Sequence, residues 1–239
     1  MRISIDNAGF KESLNVPDRE IKRVHRPVLK RFAETGGERC IVALAGPPGS
    51  GKGVLCELWS QLAGKMDISL VAVSLDGFHF PNEYLAERGL AEVKGAPETF
   101  DVRSMTIAMA QARAGTPAQW PRYDRNLHEP APDGPQITDQ RVLVVEGNYL
   151  LLDEPHWASV RRYADLTVRV WTDRRTLEER ILARHMRGGM TPEEARAKFA
   201  ASDLKNILRV DEQSVAPDIA LLRGDDGEYR LMTGGERTL

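Results

Sequence analysis

Glycines dominate the segment that most constrains this chain, residues 46–53, which read Gly-Pro-Pro-Gly-Ser-Gly-Lys-Gly. An apolar run at 41–45 precedes it, and apolar residues at helical spacing follow it from Val54 to Leu62. In this strand, loop and helix context the pattern G-x-x-x-x-G-K cradles phosphate, because glycines let consecutive backbone N–H groups turn toward one anion and the helix directs its positive end there. The segment therefore predicts a nucleoside triphosphate site formed by Gly46, Gly49, Ser50, Gly51, Lys52, Gly53 and Val54.

The loop departs from the common pattern at the position after the lysine. Most such loops carry Ser or Thr there, and its hydroxyl binds magnesium. Gly53 and Val54 have no hydroxyl, so the sequence does not predict direct ligation of the metal by the loop. The Gly-Lys-Gly pattern also occurs in adenylate-kinase-like loops, which keeps a nucleoside monophosphate kinase open. A regulatory protein that binds a nucleotide with little or no turnover is a second alternative.

Buried strands are predicted by continuous apolar runs at 40–45, 68–75, 141–147, 166–171 and 219–222, which alternate with helical patterns. Such alternation is typical of a mostly parallel sheet covered on both faces, an α/β three-layer sandwich. Residues 1–37 predict a small appendage, a hairpin followed by a helix that Pro27 kinks or divides. We expect one domain over 1–239.

Composition excludes several other classes of protein. The formal net charge is −2, the hydrophobic content 41% and the charged content 28%, which is typical of a soluble globular protein without a basic field for nucleic acid. Two cysteines, Cys40 and Cys56, have neither disulfide-framework nor zinc spacing. No apolar leader and no membrane-length apolar window is evident. We therefore expect a cytoplasmic protein without nucleic-acid or membrane partners.

Two carboxylates follow predicted core strands, Asp76 and Glu146. In open α/β sheets ligands bind outside the carboxyl ends of strands, so both side chains fall on the side of the phosphate loop. There a carboxylate can accept a proton from an attacking hydroxyl or hold magnesium, directly or through water. The alternative is that each carboxylate only caps a junction between a strand and a helix.

Two neighbouring segments carry groups suited to a polar acceptor. His79 follows Asp76 by three residues and either binds an acceptor hydroxyl or packs between Phe78 and Phe80. Residues 121–128, within a proline-rich stretch at 116–140 that predicts a long loop, offer Tyr123, Arg125 and His128. A charged surface loop is the alternative for this segment.

Arginines form a stripe on one helical face at Arg180, Arg184 and Arg187. The predicted helix begins near residue 172 or 173 and ends at Gly188. Thr191, Pro192 and Glu194 then start a second helix with a capping box. A helical hairpin over 173–200 with an arginine stripe suits a lid over phosphates, where guanidinium groups neutralise the transferring phosphoryl group. A solvated face paired with Glu178 and Glu179 is the alternative.

The chain resembles the phosphoribulokinase/uridine kinase/pantothenate kinase group of P-loop kinases. The residues that carry the resemblance are Gly46–Lys52, Asp76-Gly77-Phe78-His79, Gly95–Asp101, Pro121-x-Tyr123-Asp124-Arg125 with His128, and Glu146-Gly147. Residues 75–101 look particularly like bacterial pantothenate kinases. The length and the N-terminal hairpin-plus-helix look closer to an uncharacterised bacterial branch described as nucleoside/nucleotide or fructose-transport-system kinases.

The resemblance implies a role for each matching residue. Asp76 would be the general base, Lys52 and the lid arginines would stabilise charge, and Glu146 would be a carboxylate on the magnesium side. Tyr123 and His128 would face the acceptor, and Asn206 stands where pantothenate kinases have a functional asparagine. The acceptor loop reads Tyr-Asp-Arg where pantothenate kinases have Tyr-Ser-His, which places pantothenate behind other acceptors.

The combined interpretation is a kinase that uses ATP and Mg²⁺ to phosphorylate a hydroxyl of a small polar metabolite. Its acceptor is expected to be a sugar, polyol or sugar acid first, then a nucleoside or a pantothenate-like alcohol. A homodimer is the expected alternative to a monomer.

Overall fold

A computed structural model describes the backbone of residues 1–7 and 10–232 and the side chains of residues 1–5 and 13–232. Its strands are β1 (Arg2–Asn7), β2 (Phe10–Asn15), β3 (Cys40–Ala45), β4 (Leu70–Ser74), β5 (Ala118–Gln119), β6 (Arg122–Asp124), β7 (Glu129–Ala131), β8 (Gln136–Ile137), β9 (Val142–Gly147), β10 (Leu166–Trp171), β11 (Ile219–Arg223) and β12 (Tyr229–Leu231). Its α-helices are α1 (Asp18–Glu20), α2 (Arg26–Glu34), α3 (Lys52–Gly64), α4 (Asn82–Glu87), α5 (Val102–Arg113), α6 (Pro155–Ala158), α7 (Arg174–Arg187), α8 (Pro192–Lys198) and α9 (Leu204–Gln213).

A six-stranded sheet in the order β12-β11-β10-β3-β9-β4 forms the centre of the fold. All neighbouring strands are parallel except β12, which is antiparallel to β11. One core on one face joins Trp59 of α3 and Phe32 of α2 to the sheet, and a second core on the other face includes Met105 and Met109 of α5. The predicted α/β three-layer P-loop fold is therefore confirmed.

Alternating side chains of β3 explain the two cores. Val42 and Leu44 pack into the first core, whereas Ile41 and Ala43 pack into the second. All six residues of β3 are buried, because a central parallel strand has helices over both of its faces. This burial fixes the phosphate loop, which begins directly after the strand.

The N-terminal appendage has the predicted elements. β1 and β2 pair antiparallel, and the predicted turn at 8–9 lies outside the described residues. A π-turn at Ile21–His25 separates α1 from α2, and Pro27 lies in the first turn of α2. The helix runs on from the π-helical segment Ile21–His25 without a break, so the proline follows a wider turn in which the regular i to i−4 hydrogen bonds are interrupted.

Two parts of the prediction need correction. The stretch 116–140 is not one long loop, since it holds two short antiparallel pairs, β5 with β8 and β6 with β7. The buried indole of Trp120 anchors them by donating to the Ser74 carbonyl at 2.9 Å. Strand β12 was not predicted, because its three residues include only one that is buried, Tyr229.

The lid region has the predicted helix boundaries. Asp173 caps α7 by accepting a hydrogen bond from the Thr176 N–H, and Thr191 with Glu194 forms a capping box on α8. A π-helical segment at Phe199–Asp203 then leads into α9. Four buried residues form a small core between these helices: Leu177, Ile181, Phe199 and Ile207.

Candidate active site

The phosphate loop surrounds a buried lysine. Lys52 is 7% exposed, and its ammonium donates to the Gly46 carbonyl at 2.8 Å, the Pro47 carbonyl at 3.1 Å and Asn148 Oδ1 at 2.8 Å. Burial lowers the pKa of Lys52, and the nearby carboxylate of Glu146 opposes this effect. All three N–H groups of the ammonium therefore have protein acceptors that a phosphate must replace in part.

Glycines are required in this loop by the backbone and by close neighbours. Gly46 has φ +154°, and a Cβ there would lie 2.8 Å from the Val170 carbonyl oxygen. Gly51 has φ +98°, and a Cβ there would lie 2.0 Å from the Arg223 guanidinium. By contrast, a Cβ at Gly53 would meet nothing within 4 Å. The absence of a hydroxyl at position 53 is therefore not imposed by crowding.

The hydroxyl of Ser50 is buried and, within the part of the chain that the structure describes, has no hydrogen-bond partner. An unpaired buried hydroxyl is costly, and such groups are usually satisfied by water or a ligand. This observation fits a loop that is completed by a bound polar group. Ser50 does not line the cavity beside the loop.

The two predicted carboxylates, Asp76 and Glu146, lie beside one cavity. Ser74 and Glu146 are register partners at the ends of β4 and β9. Asp76 follows in a 3₁₀ turn, its backbone N–H bonded to the Ser74 hydroxyl at 3.1 Å. Burial raises the pKa of Glu146, and Lys52 and the nearby Ser74 hydroxyl oppose this. Asp76 is 37% exposed, so it is the carboxylate open to a ligand.

A cavity of about 390 Å³ lies between α3, β4 and the β6–β7 hairpin. Asp76, Glu146 and Gly53 line it on the side of the phosphate loop, and Tyr123 and Arg125 line it on the side of the hairpin. The volume suits a small ligand. Residues predicted from three separate segments of the sequence are thus brought to one space.

His79 contributes to this site from its edge. Its Nδ1 donates to the Asp76 carbonyl at 2.8 Å, so Nδ1 carries the hydrogen and Nε2 is the acceptor. Its ring lies 3.9 Å from the Phe100 ring and 4.9 Å from the Tyr123 ring, measured between centroids. Burial lowers the pKa of His79. His79 therefore holds the turn of Asp76 as a packed neutral imidazole and is absent from the cavity lining.

Two other predicted residues lie outside the cavity lining. His128 is exposed in the hairpin turn with φ +54°, and its carbonyl accepts from Lys94 at 2.6 Å. Asn206 lies in α9 beside Ile207, which packs into the core of the lid. The structure brings neither side chain to the cavity.

The predicted lid arginines have different surroundings. Arg180 donates to the Gly49 carbonyl at 3.3 Å, next to the outer side of the phosphate loop. Arg184 lies 3.8 Å from the Asp203 carboxylate, and burial lowers its pKa. Arg187 is exposed at the end of α7. Of the two glutamates predicted to pair with this stripe, Glu179 pairs with Arg175 instead.

Three residues near the site were not predicted from the sequence. Asn148 binds Lys52, Asp203 holds both Arg184 and His185, and Arg223 covers Gly51. The sequence could have identified Asn148 as a site residue, because it follows Glu146 by two residues at the end of a core strand. Asp203 and Arg223 have no local signal.

The comparisons with known proteins agree with this geometry. The model of the "Phosphoribulokinase / Uridine kinase family" matches residues 41–193. The chain belongs to this family. It is 35% identical over 238 residues to the uncharacterised protein YggC of Escherichia coli (strain K12), covering 97% of this chain and 99% of YggC.

Two further relatives complete the comparison. A protein of Schizosaccharomyces pombe named as a putative uridine kinase is 30% identical, over 77% of this chain and 83% of its own. A crystal structure of a putative fructose transport system kinase from Silicibacter sp. TM1040 is 30% identical and superposes with a TM-score of 0.78, over 82% of this chain and 96% of that one. The predicted family is confirmed, and the protein is a phosphotransferase with an alcohol group as acceptor. Among the described residues, no helix is long and apolar enough to cross a membrane.

Proposed function

We propose that this protein transfers the γ-phosphoryl group of ATP to a hydroxyl of a small polar metabolite. We expect the acceptor to be a sugar, polyol or sugar acid in the first place, and a nucleoside or pantothenate-like alcohol in the second. One observation carries the proposal: Asp76 and Glu146 line a single cavity with Gly53, directly beside the loop that holds Lys52. A phosphate in the loop and a hydroxyl in the cavity would meet at Asp76.

Asp76 is the group proposed to accept the proton of the attacking hydroxyl. Its backbone is fixed by Ser74 and by His79, while its carboxylate is partly exposed to the cavity. A general base must lie within hydrogen-bond reach of the proton that it removes. Lys52 and Arg184 would stabilise the charge on the transferring phosphoryl group.

Magnesium would be held by Glu146 and Asp76, partly through water. The described residues contain no group of three or more His, Cys, Asp or Glu side chains that could hold a metal ion. Magnesium readily keeps waters and takes phosphate oxygens, so two carboxylates at this position fit it. The metal would neutralise the β- and γ-phosphate oxygens during transfer.

An acceptor screen tests the proposal. ATP consumption is measured with sugars, polyols, sugar acids, nucleosides, pantothenate and nucleoside monophosphates, for the wild type and for Lys52→Ala. We expect consumption with at least one alcohol and loss of it in Lys52→Ala. Preference for a monophosphate would favour a nucleoside monophosphate kinase. ATP binding without consumption in every arm would favour the regulatory protein that the missing hydroxyl at Gly53 permits.

A further inference from the structure

The charges of the β6–β7 hairpin leave one arginine for a ligand. Arg122 lies 2.9 Å from Asp124 in the hairpin and 2.8 Å from Asp133, which follows it, so these two carboxylates neutralise it. Arg125 is 59% exposed, and its ion pair with Asp76 spans 4.0 Å. Both arginines line the cavity. Arg125 is therefore the guanidinium of the hairpin with capacity for a further anion.

The hairpin turn is built to present Arg125. One carboxylate oxygen of Asp124 is held by Arg122, and the other accepts the N–H groups of Asn126 at 2.9 Å and Leu127 at 3.2 Å. Such a turn fixes the backbone on both sides of Arg125. The turn therefore fixes the point at which the Arg125 side chain leaves the backbone, while its guanidinium stays 59% exposed.

We infer that the acceptor is a small hydroxy acid whose carboxylate binds Arg125 while its hydroxyl meets Asp76. The inference rests on the proposed kinase function and adds the chemical class of the acceptor to it. Arginine matches the geometry of a carboxylate with two parallel hydrogen bonds. An anion bound to Arg125 would also replace the loose 4.0 Å ion pair that Arg125 makes with Asp76, the proposed base.

The charged side chains around the cavity suit an acceptor that carries a carboxylate better than one that carries a phosphate group. Lys94, the other cation beside Tyr123, is already committed to the Asn82 amide and to the His128 carbonyl. Arg184 lies on the lid and pairs loosely with Asp203 at 3.8 Å, which leaves it for the phosphoryl group of ATP. One guanidinium balances the single charge of a carboxylate.

The remainder of the cavity is suited to hydroxyl groups. Glu57 and Ser60 of α3, Ser74 and Tyr123 line it. These side chains offer acceptors and hydroxyl donors at separate points around the space. The class is therefore a polyhydroxy monocarboxylate small enough for about 390 Å³.

Matched acceptors test the inference in the intact protein. Turnover is measured with D-gluconate against D-glucitol, and with D-glycerate against glycerol and glycerol 3-phosphate. We expect kcat/KM for each acid to exceed that for its alcohol by about 10- to 100-fold, the scale of a hydrogen bond to a charged group. Arg125→Gln should reduce this selectivity ratio at least tenfold, mainly through KM, and Arg125→Lys should restore part of it.

Arg162→Gln is the matched control, because Arg162 is exposed in the 3₁₀ turn Val160–Tyr163, outside the cavity lining, and it should keep the wild-type ratio. If the alcohols or glycerol 3-phosphate are phosphorylated with the same kcat/KM as the acids, the inference is wrong and the kinase proposal still stands. Calorimetric binding of gluconate that Arg125→Gln leaves unchanged would also overturn it. Consumption of no acceptor at all, together with no binding of acids, would contradict both proposals.

Discussion

Replacing Asn148 with alanine should destabilise the nucleotide-free protein and tighten its binding of ATP. Asn148 Oδ1 accepts one of the three hydrogen bonds of the Lys52 ammonium, and the lysine is 7% exposed. A hydrogen bond to a charged group contributes about 1.5–3 kcal/mol. A protein of this size loses roughly 2–4 °C of Tm per kcal/mol, so Tm without nucleotide should fall by about 3–12 °C.

The substitution is expected to raise the affinity for ATP, because the nucleotide-free variant lacks a contact that ATP binding would otherwise have to break. The ammonium has three N–H groups, and in this structure the Gly46 carbonyl, the Pro47 carbonyl and Asn148 accept all of them. Phosphate oxygens must displace some of these acceptors. If Asn148 is displaced, the variant has already lost that contact, and its ATP affinity rises by up to the same 1.5–3 kcal/mol, about 10- to 150-fold.

Calorimetric titration measures the change in ATP affinity, and thermal unfolding with and without saturating nucleotide measures the change in stability. Asn148→Asp is the informative companion, because a carboxylate beside Lys52 should stabilise the free protein and weaken ATP binding. A Tm deficit of Asn148→Ala that persists at saturating ATP would show that the contact survives binding. Weaker ATP binding by Asn148→Ala would refute this expectation and make Asn148 a ligand of the nucleotide.

Three other substitutions probe the proposed roles. Asp76→Asn should keep near-normal ATP binding by calorimetry and lower turnover by roughly 10²-fold or more, the usual scale for a general base; near wild-type turnover would move the base to Glu146. Arg184→Ala should lower kcat more than acceptor affinity, because lid arginines act on charge that develops during transfer; an effect on KM alone would make it a plain binding residue. Gly53→Ser should lower the magnesium concentration at half-maximal rate and raise turnover, with stability unchanged or raised by up to about 0.5 kcal/mol, since a Cβ there meets nothing within 4 Å. Unchanged magnesium titration and turnover would show that the missing hydroxyl is irrelevant.

Elements with a local signal could be predicted from the sequence. The helix starts at Asp173 and Thr191 could be predicted because each residue has a side chain that accepts the backbone N–H three residues later, and the structure has both caps. The central strands are continuous apolar runs, which only a doubly covered sheet buries. The phosphate loop combines both kinds of signal, so it was the most predictable part of the site.

Contacts between distant segments could not be predicted in this way. Lys52 and Asn148 are 96 residues apart in sequence; the position of Asn148 after a core strand places it near the site, but no local pattern pairs it with Lys52. Arg184 and Asp203 meet only because α8 and the π-helical segment Phe199–Asp203 fold back on α7. The resemblance to the kinase family implied that His128 faces the acceptor, yet its side chain is exposed in the hairpin turn and lies outside the cavity lining.

The position of the β6–β7 hairpin relative to Asp76 depends on Gly77, the glycine that follows this carboxylate. A Cβ at Gly77 would lie 2.1 Å from the Pro121 carbonyl oxygen, which is backbone and cannot move aside alone. Trp120 is tied from the same segment to the Ser74 carbonyl at 2.9 Å. Because β6 begins directly after Pro121, any side chain at position 77 would push Tyr123 and Arg125 away from the carboxylate. The glycine of the Asp-Gly-Phe sequence therefore sets the distance across which Asp76, the proposed base, faces Tyr123 and Arg125, the side chains proposed to bind the acceptor.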